Sequence, residues 1–120
     1  MNISIGNIIN GGGNGFSGRS PWIGVDLDGT LAHYTHSGNS MEIGEPIEPI
    51  VERVRNWISQ GWTVKIFTAR ASMPRQVKVV REWLAQNNLP PLEITNVKDF
   101  GMVELCDDRC VKVNFNTGVP

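Results

Sequence analysis

The 120-residue sequence is short of cysteine, of long apolar runs and of net charge, and each shortage excludes a class of protein. Two cysteines are too few for a disulfide scaffold, whereas a hydrophobic content of 40% is enough to form an ordinary core. No apolar run approaches the roughly 18 residues that cross a membrane. A formal net charge of -1 gives no overall attraction to nucleic acid or an anionic membrane. The composition therefore predicts one globular domain with no membrane partner.

The N-terminus and the two cysteines predict a cytoplasmic protein. The chain begins without the basic and then apolar pattern of a secretory leader. Cys106 and Cys110 flank an acidic pair at a spacing unlike that of a zinc knuckle, and a disulfide between them would be strained. A reduced, cytoplasmic setting follows.

Residues 1–20 are predicted to be a flexible extension rich in glycine and asparagine, and residues 21–120 to be the folded domain. Residues 13–18 match G-x-G-x-x-G by letter, but a strand follows and no helix does, so a dinucleotide site is not expected. The isoleucines of the extension, at positions 3, 5, 8 and 9, suit an edge strand or a partner subunit. A homo-oligomer is therefore a possible assembly.

The most informative stretch is Asp-Leu-Asp-Gly-Thr at residues 26–30, directly after the apolar run Trp22–Val25. The run predicts a buried strand, and alternate residues of a strand point to the same side. Asp26 and Asp28 should project together where this strand ends, and Gly29 allows a sharp turn. Two neighbouring carboxylates repel each other unless a cation lies between them, and a hard divalent ion such as Mg2+ is the natural candidate.

The chain then predicts a strand–helix–strand unit and hence a parallel sheet. Apolar residues at helical spacing mark a helix from Pro46 to a stop at Gly61. The second strand, Trp62–Phe67, ends at Thr68 and Arg70. Because the ends of parallel strands meet at one edge of a sheet, the Thr68 hydroxyl should lie beside the first motif.

Two features near this edge leave alternatives open. Residues 32–45 predict a hairpin or flap over the strand end, and its His33 and His36 either grip substrate or are simply solvated. Arg70 either pairs bidentately with a phosphate or is a surface arginine.

The C-terminal half predicts a second helix and three more strands. Ser72 and Pro74 open the helix. Its apolar residues are Val77, Val80, Trp83 and Leu84, and its basic residues are Arg75, Lys78 and Arg81. The strands are expected at 92–97, 102–106 and 111–115, which gives an α/β fold with a mostly parallel sheet of about five strands. Lys98 follows the first of these strands, and the acidic pair Asp107-Asp108 follows the second.

Taken in order, the 26–30 motif, Thr68, Lys98 and the acidic pair resemble the four motifs of the haloacid dehalogenase (HAD) superfamily of phosphohydrolases. The resemblance covers about residues 22–115 and is nearest to the small stand-alone members found in bacteria and bacteriophages. It implies a Rossmann-like three-layer sandwich with the first strand central, between the strands that end at Thr68 and Cys106. The flap is too short to be a cap domain.

The resemblance also implies a role for each site residue. Asp26 would be the nucleophile that forms an aspartyl-phosphate, and Asp28 the general acid and base. Thr68 and Lys98 would bind the transferring phosphoryl group, although Lys98 lies in an unusually short link and Lys112 competes for its role. The Mg2+ ligands would be Asp26, Asp107, Asp108 and the backbone carbonyl of Asp28, with Gly29 and Thr30 next to the substrate.

Three features of the sequence bear on the substrate: the lack of a cap, the Asp-Asp-Arg sequence and the basic helix. In the family, a capless site implies a large substrate or an oligomer whose partner subunit covers the site. The Asp-Asp-Arg sequence at 107–109 resembles that of polynucleotide 3'-phosphatase domains. Together with the basic helix, this favours a nucleotide or a nucleic-acid end. The alternative is a protein that binds or sequesters a nucleotide-like ligand with little turnover. The presence of both Asp26 and Asp28 favours catalysis, because a binding protein needs neither.

Overall fold

The computed structural model describes residues 20–34 and 41–120, and these form a parallel sheet with two α-helices and a 3₁₀ helix. In chain order the elements are β1 (Trp22–Val25), α1 (Glu48–Ser59), β2 (Thr63–Phe67), the 3₁₀ helix (Ala69–Ser72), α2 (Pro74–Gln86), β3 (Glu93–Thr95) and β4 (Met102–Cys106). The four strands lie in the order β3-β2-β1-β4, and all neighbours are parallel. The expected central position of the first strand is confirmed.

The pairing of β1 with both neighbours determines which side chains meet at the sheet edge. Val25, the last residue of β1, stands opposite Ile66 of β2 and Cys106 of β4. The backbone N–H of Asp26 continues the ladder, since it donates to the carbonyl of Cys106 at 2.9 Å. The residues that follow β1 and β4 therefore emerge side by side.

Both helices pack on one face of the sheet. Their buried side chains form one cluster with the inward residues of β1 and β2: Ile23, Val25, Val64, Ile66, Val51, Val54, Trp57, Val80, Trp83 and Leu84. The β1–α1–β2 and β2–α2–β3 crossovers proceed in the same direction across the sheet, and right-handed crossovers then place both helices on the same side.

Trp22 marks the opposite face, with the Lys65 ammonium 4.4 Å from its ring centroid and the Phe67 ring at 6.5 Å. The described residues place no helix on this face, because the link from β3 to β4 is only residues 96–101. The described chain thus has two layers, not the expected three.

The first helix begins later than expected, at Glu48 and not at Pro46. Pro46 instead forms an antiparallel bridge with Ala32, and the Ile47 N–H donates to the carbonyl of Leu31 at 2.8 Å. Pro49 occupies the first helical turn. These bonds close the base of the expected hairpin, while residues 35–40 at its tip, including His36, lie outside the described residues.

The prediction of a fifth strand at residues 111–115 is wrong. Val111, Val113 and Phe115 alternate as a strand would, but they are 72%, 49% and 89% exposed, so neither side of the segment is buried. The segment ends in a turn, where the Asn114 N–H donates to the carbonyl of Val119 at 2.8 Å. The sheet of the described chain has four strands and not about five because period-two alternation does not reveal whether a sheet edge is within reach.

Residues 1–19, nearly all of the predicted extension, lie outside the described residues. Within the described ranges, no helix has the length and apolar character needed to cross a membrane.

Candidate functional site

Three carboxylates converge at the carboxyl end of the sheet. Asp26 follows β1, and Asp107 and Asp108 follow the neighbouring β4. One oxygen from each carboxylate lies within 4.8 Å of the others. The parallel pairing of the two strands causes this convergence, so residues far apart in sequence form one acidic cluster.

Thr30 and Gly29 hold the Asp108 side of the cluster. The Asp108 N–H donates to Thr30 Oγ1 at 3.0 Å, and the same hydroxyl lies 3.1 Å from Asp108 Oδ1 and 3.3 Å from Asp26 Oδ2. Gly29 has a φ of +89°, and a Cβ at this position would lie 2.9 Å from Asp108 Oδ2. The turn after β1 therefore needs glycine both for its conformation and for the approach of Asp108.

The cluster changes the protonation of Asp26. Partial burial raises its pKa from 3.8 to about 7, assisted by the negative charge of Asp107 and by the hydrogen bond with Asp108. Three carboxylate oxygens are the donor set that Mg2+ and Ca2+ prefer, and a bound cation would offset this repulsion. The residues present therefore fit a hard divalent cation, although the donor set does not distinguish between such ions.

Asp28 points away from this cluster and pairs with Arg70. Arg70 Nε donates to Asp28 Oδ2 at 2.8 Å and Nη2 donates to Oδ1 at 2.9 Å, which is a bidentate pair. Arg70 also donates to the Gln76 side chain and to the carbonyl of Glu42. The Asp28 carboxylate is thus held by an arginine and does not belong to the acidic cluster.

Thr68 lies where β2 ends, beside β1, and is 3% exposed. Its Oγ1 accepts the N–H of Arg70 at 3.2 Å and so caps the 3₁₀ helix, while its own N–H donates to the carbonyl of Thr95 at 2.9 Å. With the oxygen acting as acceptor, the hydroxyl proton can be donated to an oxyanion at the sheet edge.

The other predicted site residues that the structure describes are exposed. Lys98 is exposed in the β3–β4 link and makes no hydrogen bond or ion pair with the described residues. Its competitor Lys112 is exposed in the C-terminal segment. His33 is exposed at the base of the hairpin, where its backbone N–H donates to the carbonyl of Glu45 at 2.8 Å.

Two groups that contact Arg70 were not predicted from the sequence, namely the Gln76 side chain and the Glu42 carbonyl. Gln76 is 3% exposed on the apolar side of α2, whose other buried residues are Val80, Trp83 and Leu84. A glutamine at a position where helical spacing calls for an apolar residue was the available signal. The sequence could not have indicated the Glu42 carbonyl, because every residue has a backbone carbonyl.

No protein-family model matches the chain, and no curated protein matches it. Among solved structures, the fold is similar to that of a conserved protein from Bacteroides thetaiotaomicron, with a TM-score of 0.61 and 20% sequence identity. The similarity covers 85% of this chain and 83% of that one. At this level of identity it supports the α/β fold and says nothing about activity.

Proposed function

We propose that this protein is a Mg2+-dependent phosphohydrolase of the HAD type that cleaves a phosphate monoester through an aspartyl-phosphate. The observation that carries the proposal is the meeting of Asp26, Asp107 and Asp108 within 4.8 Å at the end of two adjacent parallel strands. Asp28 and Thr68 lie on the turns that leave β1 and the neighbouring β2. The acidic cluster, a second separately held carboxylate and a hydroxyl donor are the groups that phosphoryl transfer to an aspartate requires.

In the first step, an Asp26 oxygen attacks phosphorus, the bond from phosphorus to the ester oxygen breaks, and Asp28 gives its proton to that oxygen. In the second step, Asp28 takes a proton from water, the water oxygen attacks phosphorus, and Asp26 is regenerated as phosphate leaves. The metal ion supplies charge that offsets the repulsion between the carboxylates and the phosphate, and Asp26, Asp107 and Asp108 would hold it. Thr68 donates a hydrogen bond to a phosphoryl oxygen.

The proposed substrate class is a nucleotide or a nucleic-acid end. The described residues place no domain over the acidic cluster, and only residues 26–47 separate β1 from α1. Arg75, Lys78 and Arg81 are exposed along α2, whose first turn begins just after Thr68 and Arg70. This strip can follow a phosphate backbone that leads away from the site.

The test is phosphate release from aryl phosphates, 5'- and 3'-nucleotides and a 3'-phosphorylated oligonucleotide, with Mg2+ or with EDTA. Release should require Mg2+ and should be lost in Asp26→Asn. Glu52→Gln makes the same charge change on an exposed residue of α1 and should keep full activity. Release by Asp26→Asn at the rate of the original protein would refute the assignment.

A second candidate function, nucleotide sequestration without turnover, is favoured by one observation. Lys98 is exposed and makes no hydrogen bond or ion pair with the described residues, so the lysine expected to stabilise the transferring phosphoryl group is not held at the acidic cluster. If no ester in the panel releases phosphate but calorimetry finds tight nucleotide binding, sequestration is the better account.

A further inference from the structure

Arg70 contacts three segments of the chain. Its guanidinium contacts the Asp28 carboxylate after β1, the Gln76 side chain in α2 and the Glu42 carbonyl in the hairpin. We propose that Arg70 is a positioning residue that holds Asp28 for proton transfer and ties the hairpin to it, and that it is not a ligand for the substrate phosphate. The inference rests on the proposed function, in which Asp28 is the general acid.

The Arg70 guanidinium is already engaged by other groups of the protein. Nε and Nη2 bind the two oxygens of Asp28 at 2.8 and 2.9 Å, Nη1 donates to Gln76 Oε1 at 2.6 Å, and Nη2 also donates to the Glu42 carbonyl at 3.0 Å. These bonds use four of the five N–H groups that an arginine has. A bidentate grip on a phosphate would require Arg70 to release Asp28.

The Arg70–Asp28 pair is largely buried and is supported by the Gln76 side chain. The Arg70 and Asp28 side chains are 12% and 24% exposed, so water competes less for their hydrogen bonds than it does at the surface. Gln76 is buried on the sheet-facing side of α2 and its oxygen fixes one edge of the guanidinium plane. The orientation of the Asp28 carboxylate therefore depends on a side chain of α2 that never touches the carboxylate.

Arg70 also holds the hairpin. Two side chains anchor residues 42–44 to the domain, because Arg70 binds the Glu42 carbonyl and Trp83 Nε1 donates to the Gly44 carbonyl at 2.8 Å. Of these two anchors, Arg70 is the one that also binds Asp28. A displacement of the hairpin at Glu42 is thus transmitted to the carboxylate that transfers the proton.

The leaving group provides the test. An alkyl phosphate needs a proton from the general acid as its ester bond breaks, whereas the dinitrophenolate of 2,4-dinitrophenyl phosphate departs as a stable anion without one. In Arg70→Gln and Gln76→Leu, kcat/KM for the alkyl ester should fall by about 100-fold, the lower end of what general acid catalysis contributes. The ratio kcat/KM reports the first step, without the later attack of water that both esters share. For the dinitrophenyl ester, kcat/KM should therefore stay close to that of the original protein. Arg70→Lys keeps the positive charge but lacks the two parallel donors of a guanidinium, so it should restore little of the lost activity.

Arg55→Gln is the matched control, because Arg55 is an exposed arginine that donates to the carbonyl of Asn87, away from the cluster. It should leave both esters unaffected. Equal losses on the two esters, with a raised KM, would show that Arg70 binds the phosphate and would overturn the inference alone. If the original protein releases no phosphate from any ester, the proposed function fails, and the proton-transfer role fails with it.

Hydrogen exchange tests the hairpin tether without any turnover. The amide hydrogens of residues 41–45 should exchange faster in Arg70→Gln than in the original protein or in Arg55→Gln. Unchanged exchange in this segment would overturn the tether, whatever the ester results.

Discussion

Burial and the negative charge of Asp107 both oppose the ionisation of the Asp26 carboxyl group. Its carboxyl has a pKa of about 7 in the fold against 3.8 when unperturbed, because burial and the charge of Asp107 disfavour the charged form. The folded state therefore binds more protons than the unfolded state between these two values. The contribution of Asp26 to the free energy of unfolding is favourable at low pH and is lost as pH rises from about 4 to about 7.

Asp26→Asn should remove this pH dependence. In EDTA, the variant should be more stable than the original protein at pH 8, and the difference should shrink at pH 5. Urea unfolding at both pH values measures it, with Glu52→Gln as the control. A stability difference that does not change between pH 5 and pH 8 would contradict the account of Asp26.

The role of Gly29 can be tested by comparison with Gly61, which has nearly the same backbone φ. Gly29 and Gly61 have φ values of +89° and +91°, but a Cβ meets Asp108 at the first position and nothing within 4 Å at the second. Each glycine-to-alanine change should cost about 1 kcal/mol of stability through backbone strain. Calorimetry should find weaker Mg2+ binding for Gly29→Ala and unaltered binding for Gly61→Ala. Equal Mg2+ affinities would contradict the role given to the Gly29 turn.

At the scale of elements, the sequence predicted the strands and helices whose periodicity reports burial on one side. β1 and β4 were predicted at their observed bounds, and β2 one residue too early, because their apolar residues form or border the core. The start of α1 was misplaced because Pro46 is used in the hairpin base, a long-range pairing that local sequence does not show. The pairing of Asp28 with Arg70, 42 residues away, was missed for the same reason.

The C-terminal segment gives a prediction at this scale. Val111, Val113 and Phe115 bury too little surface to stabilise the domain. Deletion of residues 111–120 should change the free energy of unfolding by less than about 0.5 kcal/mol, as for surface changes in general. Urea unfolding measures this directly, and a loss of several kcal/mol would mean that the segment packs as a fifth strand.

For the whole molecule, the fold explains why the candidate site lies where it does. A parallel sheet directs the turns after all its strands to one edge, and the central β1 has neighbours on both sides. Thr68 on one side and Asp107 with Asp108 on the other thereby flank Asp26. The order of motifs along the sequence predicted this arrangement, whereas the number of layers depended on link lengths that the motifs do not specify.

Beryllium fluoride tests whether Asp26 is the nucleophile that attacks phosphorus with help from a bound cation. This anion bonds to a carboxylate oxygen in the way a phosphoryl group does. Fluorine NMR should show a bound resonance that requires Mg2+, persists in Glu52→Gln and is absent in Asp26→Asn. A bound resonance that survives in Asp26→Asn, or none at all in the original protein with Mg2+, would contradict the account.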